Sequence, residues 1–345
     1  MRPANRRRAR RLALAFALAL VASAPASPQT GSRPAAAPVR IDVKAVAIDA
    51  FDARAPERHR VGALDFVGGL DLTSRFREFG GFSALRMLDA ERFIALSDRG
   101  YWLTGRIVYA RGRPSAIADA EMAPMLGPDG RTLRATGWYD TESLAFDDTN
   151  RLYVGIERVH RIVRFDFATS GVLARAEPIA TPPDLSRLPS NKGIEALAYV
   201  PAGQALAGTL IAISERGLDR ARNIKAFLIG GPAPGEFSVR RRDDFDVSDC
   251  ALLPSGDLVL LERRFSWMSG MALRLRRIAA AAIRDGATVD GPILMAADMG
   301  SQIDNMEGLG IHRDATGATV LTLISDDNFS FLQRTLLLQF RLVGE

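Results

Sequence analysis

The chain is poor in the residues that most metal and nucleophile chemistry uses. Its 345 residues contain one cysteine, Cys250, and three histidines, His59, His160 and His312. One cysteine excludes an internal disulfide framework, and the apolar neighbours Val247, Ala251 and Leu253 describe a buried, inert thiol rather than a nucleophile. No histidine stands in ligand spacing with another or with the cysteine, which leaves zinc without a ligand set. A serine triad has little to build on. There is no Gly-x-Ser-x-Gly phrase, and Trp267-Met268-Ser269-Gly270 lacks the strand-to-tight-turn surroundings of a nucleophile elbow. His160 or His312 would have to be recruited from across the fold. Walker loops and Gly-x-Gly-x-x-Gly sites are missing too.

Long apolar runs are absent except at the N-terminus. Arg2, Arg6, Arg7, Arg8, Arg10 and Arg11 precede an apolar run over residues 12–21, and small residues follow it with cleavage sites near Ala24 or Ala26. This is the pattern of a secretory signal, expected over residues 1–26, and it is too short and alanine-rich for a stable spanning helix. Pro28, Pro34 and Pro38 mark residues 27–40 as a flexible lead-in. The expected destination is the periplasm or the medium. Excess positive charge disappears with the signal, because six of its arginines and no acids lie there, leaving 39 basic against 40 acidic side chains. A nearly neutral mature chain without an aromatic-laced basic stripe offers nothing to nucleic acid.

What is present is a repeat. A small or acidic residue beside an apolar pair is followed, 13 to 20 residues later, by a carboxylate that usually precedes arginine. The instances are Ser83-Ala84-Leu85 with Asp98-Arg99, Glu142-Ser143-Leu144 with Glu157-Arg158, Glu195-Ala196-Leu197 with Glu215-Arg216, Asp249-Cys250-Ala251 with Glu262-Arg263, and Glu307-Gly308-Leu309 with Asp326-Asp327. Modules of roughly 55 residues that cannot bury their own apolar faces must pack side by side. Short strand-like runs precede each carboxylate, and Asp147-Asp148-Thr149-Asn150, Pro254-Ser255-Gly256-Asp257 and Asp314-Ala315-Thr316-Gly317 read as turns. In residues 161–167, Val163, Phe165 and Phe167 fall on one face at strand spacing. The one helix-like stretch, residues 273–283, reads equally as a strand running into a surface loop.

The pattern is all-β, and a single β-propeller over residues 41–345 fits it better than a sandwich, which needs no module of this length. N-terminal strands over residues 41–48 and 61–72 supply closure of the ring, with a final strand over residues 335–342. That strand presents Leu336, Leu338, Phe340 and Leu342 on one face and Leu337, Gln339 and Arg341 on the other. Phe82, Phe146, Leu197, Leu252 and Leu309 are expected between blades. Five signatures are visible, but the wrap from Glu307 round to Ser83 is long enough for a further blade, so five or six blades are open.

Several phrases carry a family resemblance: Gly80-Gly81-Phe82-Ser83-Ala84-Leu85, Ser97-Asp98-Arg99-Gly100, Asn191-Lys192-Gly193-Ile194-Glu195, Leu260-Leu261-Glu262-Arg263, Asp304-Asn305-Met306-Glu307-Gly308 and Ser325-Asp326-Asp327-Asn328-Phe329. Over about residues 60–342 the chain resembles the phytase-like family of secreted bacterial propellers, often described as having esterase-like activity. That family's likeness to calcium-dependent, six-bladed propeller phytases moves the expectation toward six blades.

In a propeller the innermost strands line the central channel, which would gather Glu142, Glu195, Asp249 and Glu307. Like charges this close need cations, arginines or shared protons. Hard oxygen ligands suit calcium, and Asp304, Asn305 and Asp327 extend the candidate ligand set. Alternatively the acids pair with Arg99, Arg158, Arg216 and Arg263 or cap turns. With Glu195 or Glu307 orienting water and Arg99, Lys192, Arg216 and Arg263 gripping the substrate, such a mouth would hydrolyse phosphate esters, with a wider range of esters left open. Two other readings stay open: a calcium-dependent lactonase or carboxylic-ester hydrolase, and a non-enzymatic periplasmic propeller that binds a ligand or envelope protein. The expected partner is a small ester, and nothing in the sequence argues for an oligomer over a monomer.

Overall fold

The computed structural model describes residues 37–268 and 270–344, so the expected signal and the lead-in as far as residue 36 lie outside the described residues. Strands dominate, in five sheets. The innermost strands are Phe82–Met87 in blade 1, Thr141–Phe146 in blade 2, Ile194–Tyr199 in blade 3, Asp246–Leu252 in blade 4 and Met306–Arg313 in blade 5. Each packs beside the next, and Met306–Arg313 returns to Phe82–Met87, so the ring closes on five.

The expectation of six blades is thereby corrected. Residues 39–74 build no blade of their own. Leu64–Ser74 pairs with Thr335–Leu342 and Val43–Ile48 pairs with Leu64–Ser74, both extending blade 5, while Val39–Arg40 edges blade 1. N-terminal strands thus complete the sheet begun by the C-terminal ones, which removes the open edges between first and last blades.

Packing follows the same count, because five apolar clusters occupy the five interfaces between neighbouring blades. The closing strand serves two of them: Leu336, Leu338, Phe340 and Leu342 face blade 4, and Leu337 faces blade 1. Phe82, Leu197 and Leu309 are core members of such interfaces, with Phe146 and Leu252 packed against them. At the seam between last and first blades, a Cβ on Gly308 would lie 2.7 Å from the Leu85 nitrogen, so only glycine permits that approach. Residues 161–167 split into the strand Arg161–Phe165 and a short helix starting at Phe167. The helix-like stretch is the strand Gly270–Ile278 followed by a 3-10 turn.

Turns between first and second strands repeat as well. Asp89, Asp147 and Asp314 each accept hydrogen bonds from backbone amides two and more residues on, at 2.7 to 3.1 Å. These turns follow the C-terminal ends of the innermost strands in blades 1, 2 and 5. Among the described residues no helix is long and apolar enough to cross a membrane.

Candidate functional site

In every blade the pairing of the inner strand with its neighbour slips by one residue near the start of the inner strand, leaving Ser83, Glu142, Glu195, Ser248 and Glu307 unpaired. Such a bulge re-aims the extra side chain. Just past the pairing on the second strands stand Asp98, Glu157, Glu215, Arg263 and Asp326. The backbone N–H of four of them donates to a carbonyl preceding the bulge, those of Gly81, Asp140, Gly193 and Asn305, at 2.8 to 2.9 Å. Arg263 pairs with Asp246 at the same place in blade 4. Two rings result, one on the bulges and one on the second strands.

Blade 4 departs from the sequence expectation by one residue. Its bulge is Ser248, so Asp249 does not join the mouth; it lies fully buried deeper in the channel. There its carboxylate accepts both terminal nitrogens of Arg86 at 2.7 and 2.8 Å and the Leu309 amide at 2.7 Å. Arg86 also donates to the carbonyls of Leu85, Leu197, Cys250 and Leu309 at 2.7 to 2.9 Å. Those carbonyls occupy equivalent positions in four of the five blades, so Arg86 bolts the channel near its axis. Ala145, Ala198, Ala251 and Gly310 stand at Arg86's own position in the other inner strands, and these small residues leave it room. Glu262 likewise points away from the mouth, buried against Arg274 and Arg276 at 2.6 Å. Arg263 takes the place an acid holds in the other four blades.

The mouth therefore gathers Glu142, Glu195 and Glu307 with Asp98, Glu157, Glu215 and Asp326 around one half-buried arginine. Arg263 lies 3.0 Å from Glu307 and 3.6 Å from Glu215. Burial disfavours its charge, but Glu307, Glu215, Glu195 and Asp326 together hold its pKa above the usual range. Asn305 donates to Glu307 at 2.9 Å and accepts from Arg263 at 3.1 Å. Lys192 donates to Glu215 at 2.5 Å, and the Gly193 amide donates to Glu157 at 2.7 Å. Two cations, Arg263 and Lys192, cannot neutralise seven carboxylates, so most of these acids hold their protons more tightly than usual. Burial and then neighbouring acids push Glu142 and Glu195 well above the ordinary carboxylate range. Burial raises Glu307 despite Arg263. Burial, with Glu307, pushes Asp326 up to about 8, and burial pushes Asp98 up to about 6.

Carboxylate oxygens of Glu157, Glu195 and Glu215 lie within 4.8 Å of one another. Among the described residues no donor reaches the carboxylates of Glu142 or Glu195, although both residues are buried. Carboxylates crowded together and partly removed from water favour a proton or a cation. The cluster fits a divalent ion through hard oxygen donors alone. Glu157 and Glu215 were legible only as the second carboxylates of the repeat; which of the repeated acids converge depends on the bulges.

Other expected ligands are occupied elsewhere. Asp304 accepts from the amides of Asn305 and Arg334 at 2.9 and 3.0 Å, and Asp327 accepts from the amides of Gly81 and Phe329 at 2.9 and 3.0 Å. Both brace the rim loops and lie outside the three-glutamate cluster. Among the expected substrate-binding cations, Arg99 stacks on Phe329 at 3.2 Å with Glu78 3.7 Å away, and Arg216 is paired with Asp246. Lys192 and Arg263 are engaged with the mouth acids as described. Trp102 is buried between blades 1 and 2, whereas Phe265 and Trp267 are exposed.

Fold and site together define a five-bladed propeller whose acidic mouth can hold a divalent metal ion. The chain belongs to the phytase-like family, described as having the esterase-like activity of phytase, whose model matches residues 77–329. Comparison with curated proteins gives no match. Among solved structures, a putative gluconolactonase shows 7% identity and a TM-score of 0.42, covering 88% of this chain and 93% of that one. A virginiamycin B lyase from Staphylococcus aureus shows 9% identity and a TM-score of 0.37, covering 82% and 85%. The blade count rests on the strand pairing described above.

Proposed function

We propose that the protein is an exported, divalent-cation-dependent hydrolase of carboxylic esters or lactones, with calcium the ion that suits its all-oxygen donors. One observation carries this reading: three buried glutamate side chains, those of Glu157, Glu195 and Glu215, converge within ligand distance. Glu157, Glu195 and Glu215 would hold the ion, which when bound polarises a carbonyl and acidifies water. Glu307, oriented by Asn305 and Arg263, positions the attacking water. Glu142, pushed toward its protonated form, holds a proton for the leaving oxygen. Carboxylic esters are preferred to phosphate monoesters because Arg99, Lys192, Arg216 and Arg263 already have acidic partners. Each would have to surrender its partner to grip a doubly charged phosphoryl group.

The test is hydrolysis of p-nitrophenyl acetate, a γ-lactone and p-nitrophenyl phosphate by purified protein, after chelation and after return of calcium, magnesium or manganese. Ester or lactone turnover that vanishes with chelator and returns with a cation is expected. Turnover indifferent to chelation, or confined to the phosphate, would overturn the proposal.

A further inference from the structure

Beside the acidic mouth, on the blade 3 and blade 4 side, lies a cavity of about 650 Å³ with Glu215 and Arg263 among its lining residues. Its walls carry four guanidinium groups, those of Arg216, Arg241, Arg263 and Arg264, against three carboxylates. Three of the arginines have acidic partners. Arg216 and Arg241 share Asp246, with Arg241 also 2.7 Å from Asp244, and Arg263 serves Glu307. Arg264 is different. Among the described residues its guanidinium meets no carboxylate, donating only to the Asp243 carbonyl at 3.1 Å and lying 4.9 Å from the centre of the Phe245 ring. Its Nε is buried with no acceptor. Arg264 also lines a second cavity of about 390 Å³, so it stands between two open spaces.

A guanidinium stacked on an aromatic ring is held in orientation while its free edge stays available for a planar anion. If Glu215 is committed to a cation, the positive excess of the cavity grows. We infer that this cavity is an anion subsite in which Arg264 binds a carboxylate or phosphate group carried by the substrate at a distance from its scissile bond. Arg264, through this contact, selects charged esters over neutral ones. The inference rests on the hydrolase reading for its substrate, but its anion site can be tested alone.

Monomethyl succinate and dimethyl succinate differ by one charge. With cation-loaded full-length protein, kcat/KM is expected to favour the half-ester, and Arg264→Gln should reduce that preference about tenfold, through KM rather than kcat. Arg264→Lys, which keeps the charge but loses the planar fork, should restore part of it. Calorimetric titration with succinate and with inorganic phosphate provides the independent arm, and which of the two competes with the half-ester identifies the preferred anion. If neither ester is hydrolysed, the hydrolase reading fails while binding lost in Arg264→Gln still supports the subsite. Equal preference in wild type and variant, or no binding of either anion to the wild type, overturns it.

Discussion

Raising the pH should weaken this protein when its mouth is free of metal. Asp326 is pushed up to about 8 by burial and Glu307, so the folded chain keeps a proton there that the unfolded chain has released by about pH 5. Where the folded state binds more protons, stability falls as pH rises, and it falls until the folded pKa is reached. His160 and His312, lowered by burial, act the other way below about pH 6.5, which makes pH 6.5 to 8 the clean window. Across it Asp326 alone costs about 2 kcal/mol, at about 1.4 kcal/mol per pH unit. Glu142 and Glu195 add to this with the same sign. For a domain of this size the Asp326 contribution alone should lower the melting temperature by about 3 °C. A bound cation removes the reason for the protons, so with cation the decline should flatten and binding should release protons. Thermal melts at constant ionic strength, with chelator and with calcium, measure both. Asp326→Asn keeps an acceptor for the Asn328 amide, a 2.6 Å contact, and should remove much of the slope. A melting temperature that rises with pH in chelator, or an Asp326→Asn slope equal to wild type, would refute the reasoning.

Glu195→Gln should separate function from stability: cation affinity falls by more than about tenfold, while the chelated protein at pH 8 becomes more stable because a buried carboxyl with a raised pKa has gone. Loss of both together in calorimetry and melting would contradict the site. Arg86→Leu strips a buried carboxylate of its partner and leaves carbonyls from four blades without their donor; urea unfolding should show a loss of about 3–5 kcal/mol, and a loss below about 1 kcal/mol would show that the channel bolt is unimportant. Cys250 is fully buried, with its thiol raised by burial, so a thiol reagent should label it only at the rate of unfolding; rapid labelling of the native protein would refute its burial.

Much of this architecture is written into the chain. Alternating apolar positions in Thr335–Leu342 determine a strand buried on both faces, and turn-forming aspartates punctuate the modules. Acids recurring once per module determine that a closed array must bring like charges together, whatever its size. The chain also bounds the chemistry, since three histidines and one cysteine leave oxygen as the metal donor. Blade number was decided by pairing: residues 39–74 carry strand pattern enough for a further blade, but Leu64–Ser74 finds its partner in Thr335–Leu342, about 270 residues away in sequence, and such a choice leaves no local signal. Membership of the mouth was decided by register. A bulge shifts every following side chain to the opposite face, so moving it by one residue in blade 4 sent Asp249 and Glu262 into buried ion pairs and brought Ser248 and Arg263 to the rings. Spacing in sequence cannot report that shift, because the bulge is a property of two strands meeting.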